Sequence, residues 1–275
     1  AANNAEMPHY LLLFGDGTYD NKYILYKANN YIVSYQSENS CSPTASYCSD
    51  DFFGLLDDNE GLWTTTEEPD MGIGRIPANN VEEAQMVVDK IINYQSLPGK
   101  IVDETACNTD ATTMGDWRNT LCFIADDQDG VLHVNSADKL ANKAKAKAPV
   151  YNIDKIYLDG FQQVSTPGGQ RYPAVKDAIN KRVEKGALLL NYTGHGGELG
   201  WTEERVLEIA DIRSWKNKAK LPVFITATCE FSRYDDPSRT SAGELCLVNS
   251  SAGAVALFTT TRLAYSFTNE NINAA

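Results

Sequence analysis

ALLLNYTGHGG, residues 187–197, and PVFITATCEF, residues 222–231, are two short apolar runs, each followed by one reactive side chain, His195 and Cys229. Each run follows a plausible helix and contains or borders β-formers, the pattern of a strand buried on both faces of a parallel sheet. Parallel neighbours would deliver His195 and Cys229 just past their carboxyl ends, on the edge where open α/β sheets place ligands. The expected fold is α/β with a mostly parallel sheet.

The pairing suggests acyl transfer. A thiolate is the reactive form of cysteine, and an imidazole within reach can serve as its acid and base. The tetrahedral oxyanion then needs backbone N–H donors, and the N–H groups of Gly196 and Cys229 are the candidates. Gly196 also lets a substrate approach the main chain closely. A buried core cysteine beside an unrelated loop histidine is the plainer alternative, and the strand, Gly-His-Gly-Gly, strand, Cys order weighs against it.

TGHGG at 193–197 and ATCEF at 227–231 resemble the gingipain-type (C25-like) cysteine peptidases, and the likeness continues through LLLFGDGTYD (11–20), SDDFFGLLD (49–57), PDMGIGRIP (69–77) and VEEAQMVVDKIINYQ (81–95). The resemblance implies a caspase-like three-layer fold in two adjacent lobes, and a cysteine endopeptidase working through a thioester. Within the family the chain is most similar to the type IX secretion sortases. That likeness implies removal of C-terminal sorting domains from exported cargo, transpeptidation to a surface anchor, outer-membrane secretion components as partners and a cell-surface location. A secreted endopeptidase cutting after a basic residue and a noncatalytic cargo-binding module are the rival readings.

In arginine-specific relatives an acidic residue near this position assists the dyad. Asp126, Asp127 and Asp129 follow the strand LCFIA, and Asp127 is assigned that role here; exposed turn acids are the alternative. Trp201 resembles an aromatic on the family's active-site side, so it lines the substrate pocket or covers the core. Glu230 and the polar loop after it are candidate substrate contacts. His133 is read as a helix-entry or surface residue, and His9, at the far end of the first strand, as noncatalytic.

Length and composition bound these readings. The 275 residues suffice for one large α/β domain or two lobes, and 43% hydrophobic content excludes a disordered chain. A formal net charge of -13 argues against nucleic-acid partners held by phosphate neutralisation. No apolar run approaches the roughly 20 residues that span a bilayer. The chain has no initiator Met and begins almost directly with a strand, as expected of a fragment, and relatives usually continue beyond its last segment.

Asp50, Asp51, Asp57, Asp58 and Glu60 are oxygen ligands of the kind that hold Ca²⁺, without EF-hand spacing, or else a solvated loop. Relatives bind calcium, so a structural Ca²⁺ is expected by resemblance, while the chemistry itself requires no metal or other cofactor. Cys41 and Cys48 bracket a loop that a disulfide could close, Cys107 and Cys122 are a second candidate pair, and Cys246 reads as core.

Along the chain, the expected elements are strands at 9–17, ending in a Gly-Asp-Gly turn, 71–77, 121–127, 153–159 and 253–261, in addition to the two opening runs. Helices are expected at 81–95, with a stripe of Ala84, Val87, Val88, Ile91 and Ile92, at 136–147, at 173–185 and at 242–248. Pro173 suits a first helical turn, Gly186 a C-cap, and Ser241 with Glu244 a capping box. The polar segment 100–116 is the expected join between lobes 1–114 and 115–275.

Overall fold

A computed structural model of the chain describes residues 8–26, 30–38, 42, 44–61, 67–95, 113–250 and 252–274. The chain divides into two compact units: Ala1–Ala84 with Tyr234–Thr240, and Gln85–Arg233 with Ser241–Ala275.

In the first unit, β1 (Tyr10–Phe14) pairs in parallel with β2 (Gly72–Ile76). The intervening chain is held by side chains rather than by a larger sheet. The Asp20 carboxylate accepts the amides of Ile24, Leu25 and Tyr26 at 2.9, 2.8 and 2.9 Å, fixing a turn. Arg75 is bidentate on Asp50, both contacts at 2.8 Å, and its guanidinium lies 4.5 Å from the centroid of the Tyr234 ring. Tyr234 in turn donates to Asp50 at 2.9 Å. A polar cavity of about 320 Å³ is lined by Asp16, Asn79, Glu83, Asp236 and Ser238, among others. Burial pushes the Asp16 carboxyl up to about 7.

The helix α1 (Val81–Gln95) begins after Asn80, whose side chain accepts the Glu83 amide at 2.8 Å. Its buried face differs from the expected stripe. Ile92 is exposed, whereas Lys90 is buried and its ammonium donates to the carbonyls of Leu247 and Ala252 at 2.8 and 2.9 Å. Arg118 likewise donates to the Tyr94 carbonyl at 2.7 Å. Most of α1 is therefore tied to the second unit, which begins at Gln85.

The second unit continues through β3 (Thr120–Ala125), α2 (Leu132–Lys147), β4 (Asn152–Tyr157), α3 (Pro173–Lys185), β5 (Leu189–Thr193), α4 (Ile209–Ser214), β6 (Val223–Ala227), α5 (Ala242–Val248), β7 (Ala256–Phe258) and α6 (Ser266–Ala274). The five strands form one parallel sheet in the order β7-β6-β5-β3-β4.

Alternation along β5 separates the layers. Leu190 and Tyr192 join a core with Val175, Ile179 and Val183 of α3, Ile212 of α4 and Cys246 of α5. Asn191 and Thr193 point the other way, where both bond to Asn273 of α6. Lys143 of α2 also reaches α6, donating to the Ala274 carbonyl at 2.6 Å. Two helical layers thus enclose the sheet.

Local chemistry explains the helix ends. Pro173 opens α3, and Gly186, at φ +86°, closes it by donating to the Arg182 and Val183 carbonyls. Ser241 and Glu244 form the reciprocal capping box of α5. The Lys90 ammonium satisfies carbonyls in the last turn of the same helix and just beyond it, and burial lowers its pKa to about 8.

Two outcomes follow. Replacing Lys90 with Met should lower the free energy of unfolding by about 2–4 kcal/mol in urea titrations, because several buried carbonyls lose their donor. At Asp16 the folded pKa of about 7 exceeds the ordinary 3.8, so its stabilising contribution is full below pH 3.8 and is lost as pH rises through 7. Urea midpoints across this window should fall in the native chain relative to Asp16→Asn.

Candidate active site

The register of β5 and β6 sets the site. Thr193 is paired with Ala227, and His195 and Cys229 each stand two residues beyond that pair. Both side chains therefore emerge at the carboxyl edge of adjacent parallel strands. The two loops meet closely: a Cβ on Gly196 would lie 2.6 Å from Oγ1 of Thr228, the residue before the cysteine. Only glycine fits there.

Several contacts fix the histidine loop. Its backbone N–H donates to the Asp126 carboxylate at 2.9 Å, and its carbonyl accepts from Tyr192 Oη at 2.5 Å and from the Thr202 amide at 3.0 Å. Gly194, at φ +157°, passes so near this network that a Cβ would lie 2.3 Å from the Asp126 Cβ. The ring remains accessible, with 45% of the side chain exposed.

Its Nε2 is 2.9 Å from Asp129 Oδ2, so the acid on the ring is Asp129 rather than Asp127. Asp127 instead accepts from Tyr172 Oη at 2.5 Å. The ring contact holds the Asp129 carboxyl below its ordinary pKa. Asp129 and Gly130, at φ +58° and +67°, reverse the chain into α2, which starts four residues before the expected Ser136. That earlier start turns His133 inward. Its Nε2 lies 3.4 Å from the same Asp129 oxygen, its ring is edge-on to His195 with centroids 5.3 Å apart, and burial lowers its pKa.

The cysteine loop is held from the far side. Cys229 Sγ lies 3.3 Å from the Ala264 carbonyl oxygen and 3.4 Å from its amide nitrogen. Thr260 donates to the Thr228 carbonyl at 2.6 Å, and the Glu230 amide donates to Arg262 at 3.1 Å. Glu230 takes φ +48°, a left-handed conformation just after the thiol. Its carboxylate is 3.4 Å from Arg233, which also binds Glu198 at 2.9 Å.

Trp201 does not line a pocket. It is 1% exposed and stacked on Tyr192 with centroids 4.2 Å apart, so it belongs to the core. Among the described residues, two carboxylates of the Asp50 cluster already have protein partners. Asp50 is taken by Arg75, and Glu60 accepts the Asp57 amide at 2.9 Å. Cys48 Sγ lies 3.0 Å from Tyr234 Oη, Cys122 and Cys246 are buried free thiols, and Cys41 and Cys107 lie outside the described residues.

A parallel sheet covered by helices on both faces, with Cys and His at one edge, defines a caspase-like α/β domain. The family model of peptidase family C25 matches residues 1–275, and the chain belongs to that family. Among solved structures, the Arg-specific cysteine proteinase gingipain R (RGPB) matches with 19% identity and a TM-score of 0.63, covering 93% of this chain and 49% of that one. The complex of Porphyromonas gingivalis RgpB pro- and mature domains matches with 18% identity and a TM-score of 0.63, covering 95% of this chain and 51% of that one. The chain thus spans about half the length of the structures it matches. No curated protein sequence matches it.

Gly194→Ala should cost about 2 kcal/mol or more by thermal unfolding, since backbone strain and a core clash coincide. Gly197→Ala, whose Cβ would meet nothing within 4 Å, is the control and should leave stability unchanged.

Proposed function

We propose that the chain is the catalytic part of a cysteine endopeptidase. The observation that carries this reading is the equal placement of His195 and Cys229 beyond the paired residues Thr193 and Ala227, with Gly196 against Thr228. The Cys229 thiolate attacks a peptide carbonyl, and the oxyanion is stabilised by the N–H groups of Gly196 and Cys229. As the C–N bond breaks, His195 gives its proton to the leaving amine, and a thioester remains. Asp129 orients the imidazole and stabilises its charged form.

Water releases the acyl group in hydrolysis, and an acceptor amine does so in transpeptidation. The finer reading, carried by the sequence resemblance, is a type IX secretion sortase that removes C-terminal sorting domains from exported cargo. Outer-membrane secretion components are then its partners and the cell surface its location. Arg233 already engages the Glu198 and Glu230 carboxylates, so a basic substrate side chain would have to compete for them. This favours the sortase over an endopeptidase specific for basic residues.

Intact-protein mass spectrometry after exposure to peptide acyloxymethyl ketones tests the reading. One adduct is expected on native protein and none on Cys229→Ala, with labelling slowed ~10²-fold or more in His195→Ala. Equal labelling of native protein and Cys229→Ala would overturn Cys229 as nucleophile.

A further inference from the structure

The proposed reaction uses His195 but leaves its neighbour unexplained. His133 is 5% exposed, and its Nε2 has no hydrogen-bond partner among the described residues. A buried ring nitrogen that makes no well-formed hydrogen bond leaves room for a ligand. This atom faces Asp129 Oδ2 at 3.4 Å, and the same oxygen is 2.9 Å from His195 Nε2. On the buried side, a carboxylate oxygen of Asp126 and a ring nitrogen from each histidine lie within 4.8 Å of one another.

Two imidazoles flanked by carboxylates form a donor set suited to borderline divalent transition metals. A tetrahedral ion with bonds of about 2.0–2.1 Å needs its ligand atoms roughly 3.4 Å apart. The exposed His195 ring and the Asp129 turn can close that gap by side-chain rotation. Two carboxylates balance the charge of a divalent ion.

We propose that His133, His195, Asp126 and Asp129 form a binding site for Zn²⁺ or a similar transition-metal ion. A metal on either nitrogen of the His195 ring opposes the protonation that the proposed reaction needs, so the ion is a reversible inhibitor of the peptidase. The inhibitory part rests on the proposed function, whereas the binding part does not. His133 has no place in the acyl-transfer steps, so metal recognition is a role specific to it.

The test uses the full chain carrying Cys229→Ala, which removes the thiol as a competing ligand. Calorimetric titration with Zn²⁺ should show one bound ion, and Co²⁺ should give the visible absorption of a tetrahedral centre. His133→Asn should weaken binding by 10-fold or more. Equal affinity with and without His133 would overturn the proposal. If His133→Asn fails to fold, imidazole ¹⁵N shifts of the unsubstituted histidines decide. Zn²⁺ must perturb both His133 and His195, and perturbation of neither or only one overturns the site.

Native protein then links binding to reaction. Zn²⁺ should block ketone labelling and EDTA should restore it. Metal binding through both histidines in a chain that never labels at Cys229 would sink the peptidase reading and leave the metal site standing. Labelling at Cys229 with zinc affinity indifferent to His133 would do the reverse.

Discussion

Everything at the candidate site depends on the pairing of β5 with β6. In a parallel ladder each residue has a fixed partner, so equal overhang beyond the last pair brings two loops out together. A shift of one residue would separate His195 from Cys229 along the edge and turn every β5 side chain to the opposite face. The register is protected because both faces of β5 are committed. Leu190 and Tyr192 fill one core, while Asn191 and Thr193 bond to Asn273 on the other side.

Beyond the sheet, the loops are positioned by main-chain contacts more than by packing. Asp126 accepts the His195 amide, and segment 260–264 binds the residues around Cys229. The reactive side chains themselves are left open to solvent or only partly covered. Precision thus comes from the backbone, and access from the scarcity of side-chain packing. This division suits the proposed reaction, in which a peptide main chain approaches the thiol.

The main architecture was legible because its signals are local. Apolar runs of strand length, Pro173 at a helix start, Gly186 at a helix end and the Ser241–Glu244 box all report their own conformations. The misreadings arose where a long-range contact overrode the local signal. Ser136 was the expected start of α2, yet the helix enters earlier, through the Asp129–Gly130 turn with no side-chain cap, and this hid His133. Lys90 interrupts an apolar stripe and gave no sign that distant carbonyls would bury it. Trp201 follows the histidine closely in sequence, but only the stack on Tyr192 reveals that it faces inward. The i, i+4 spacing of Asp129 and His133 was the one available clue to their meeting.

The excursion Tyr234–Thr240 leaves the second unit after Arg233 and rejoins it at Ser241. With the crossing at Ala84, the polypeptide passes between the units three times. A cut after residue 84 would therefore not yield two self-contained halves. The downstream piece would retain Tyr234 without Asp50 or Arg75, leaving an aromatic loop stripped of its partners close in sequence to Cys229. The two units are covalently interleaved, so a graft of either one would have to carry chain from both sides of the other.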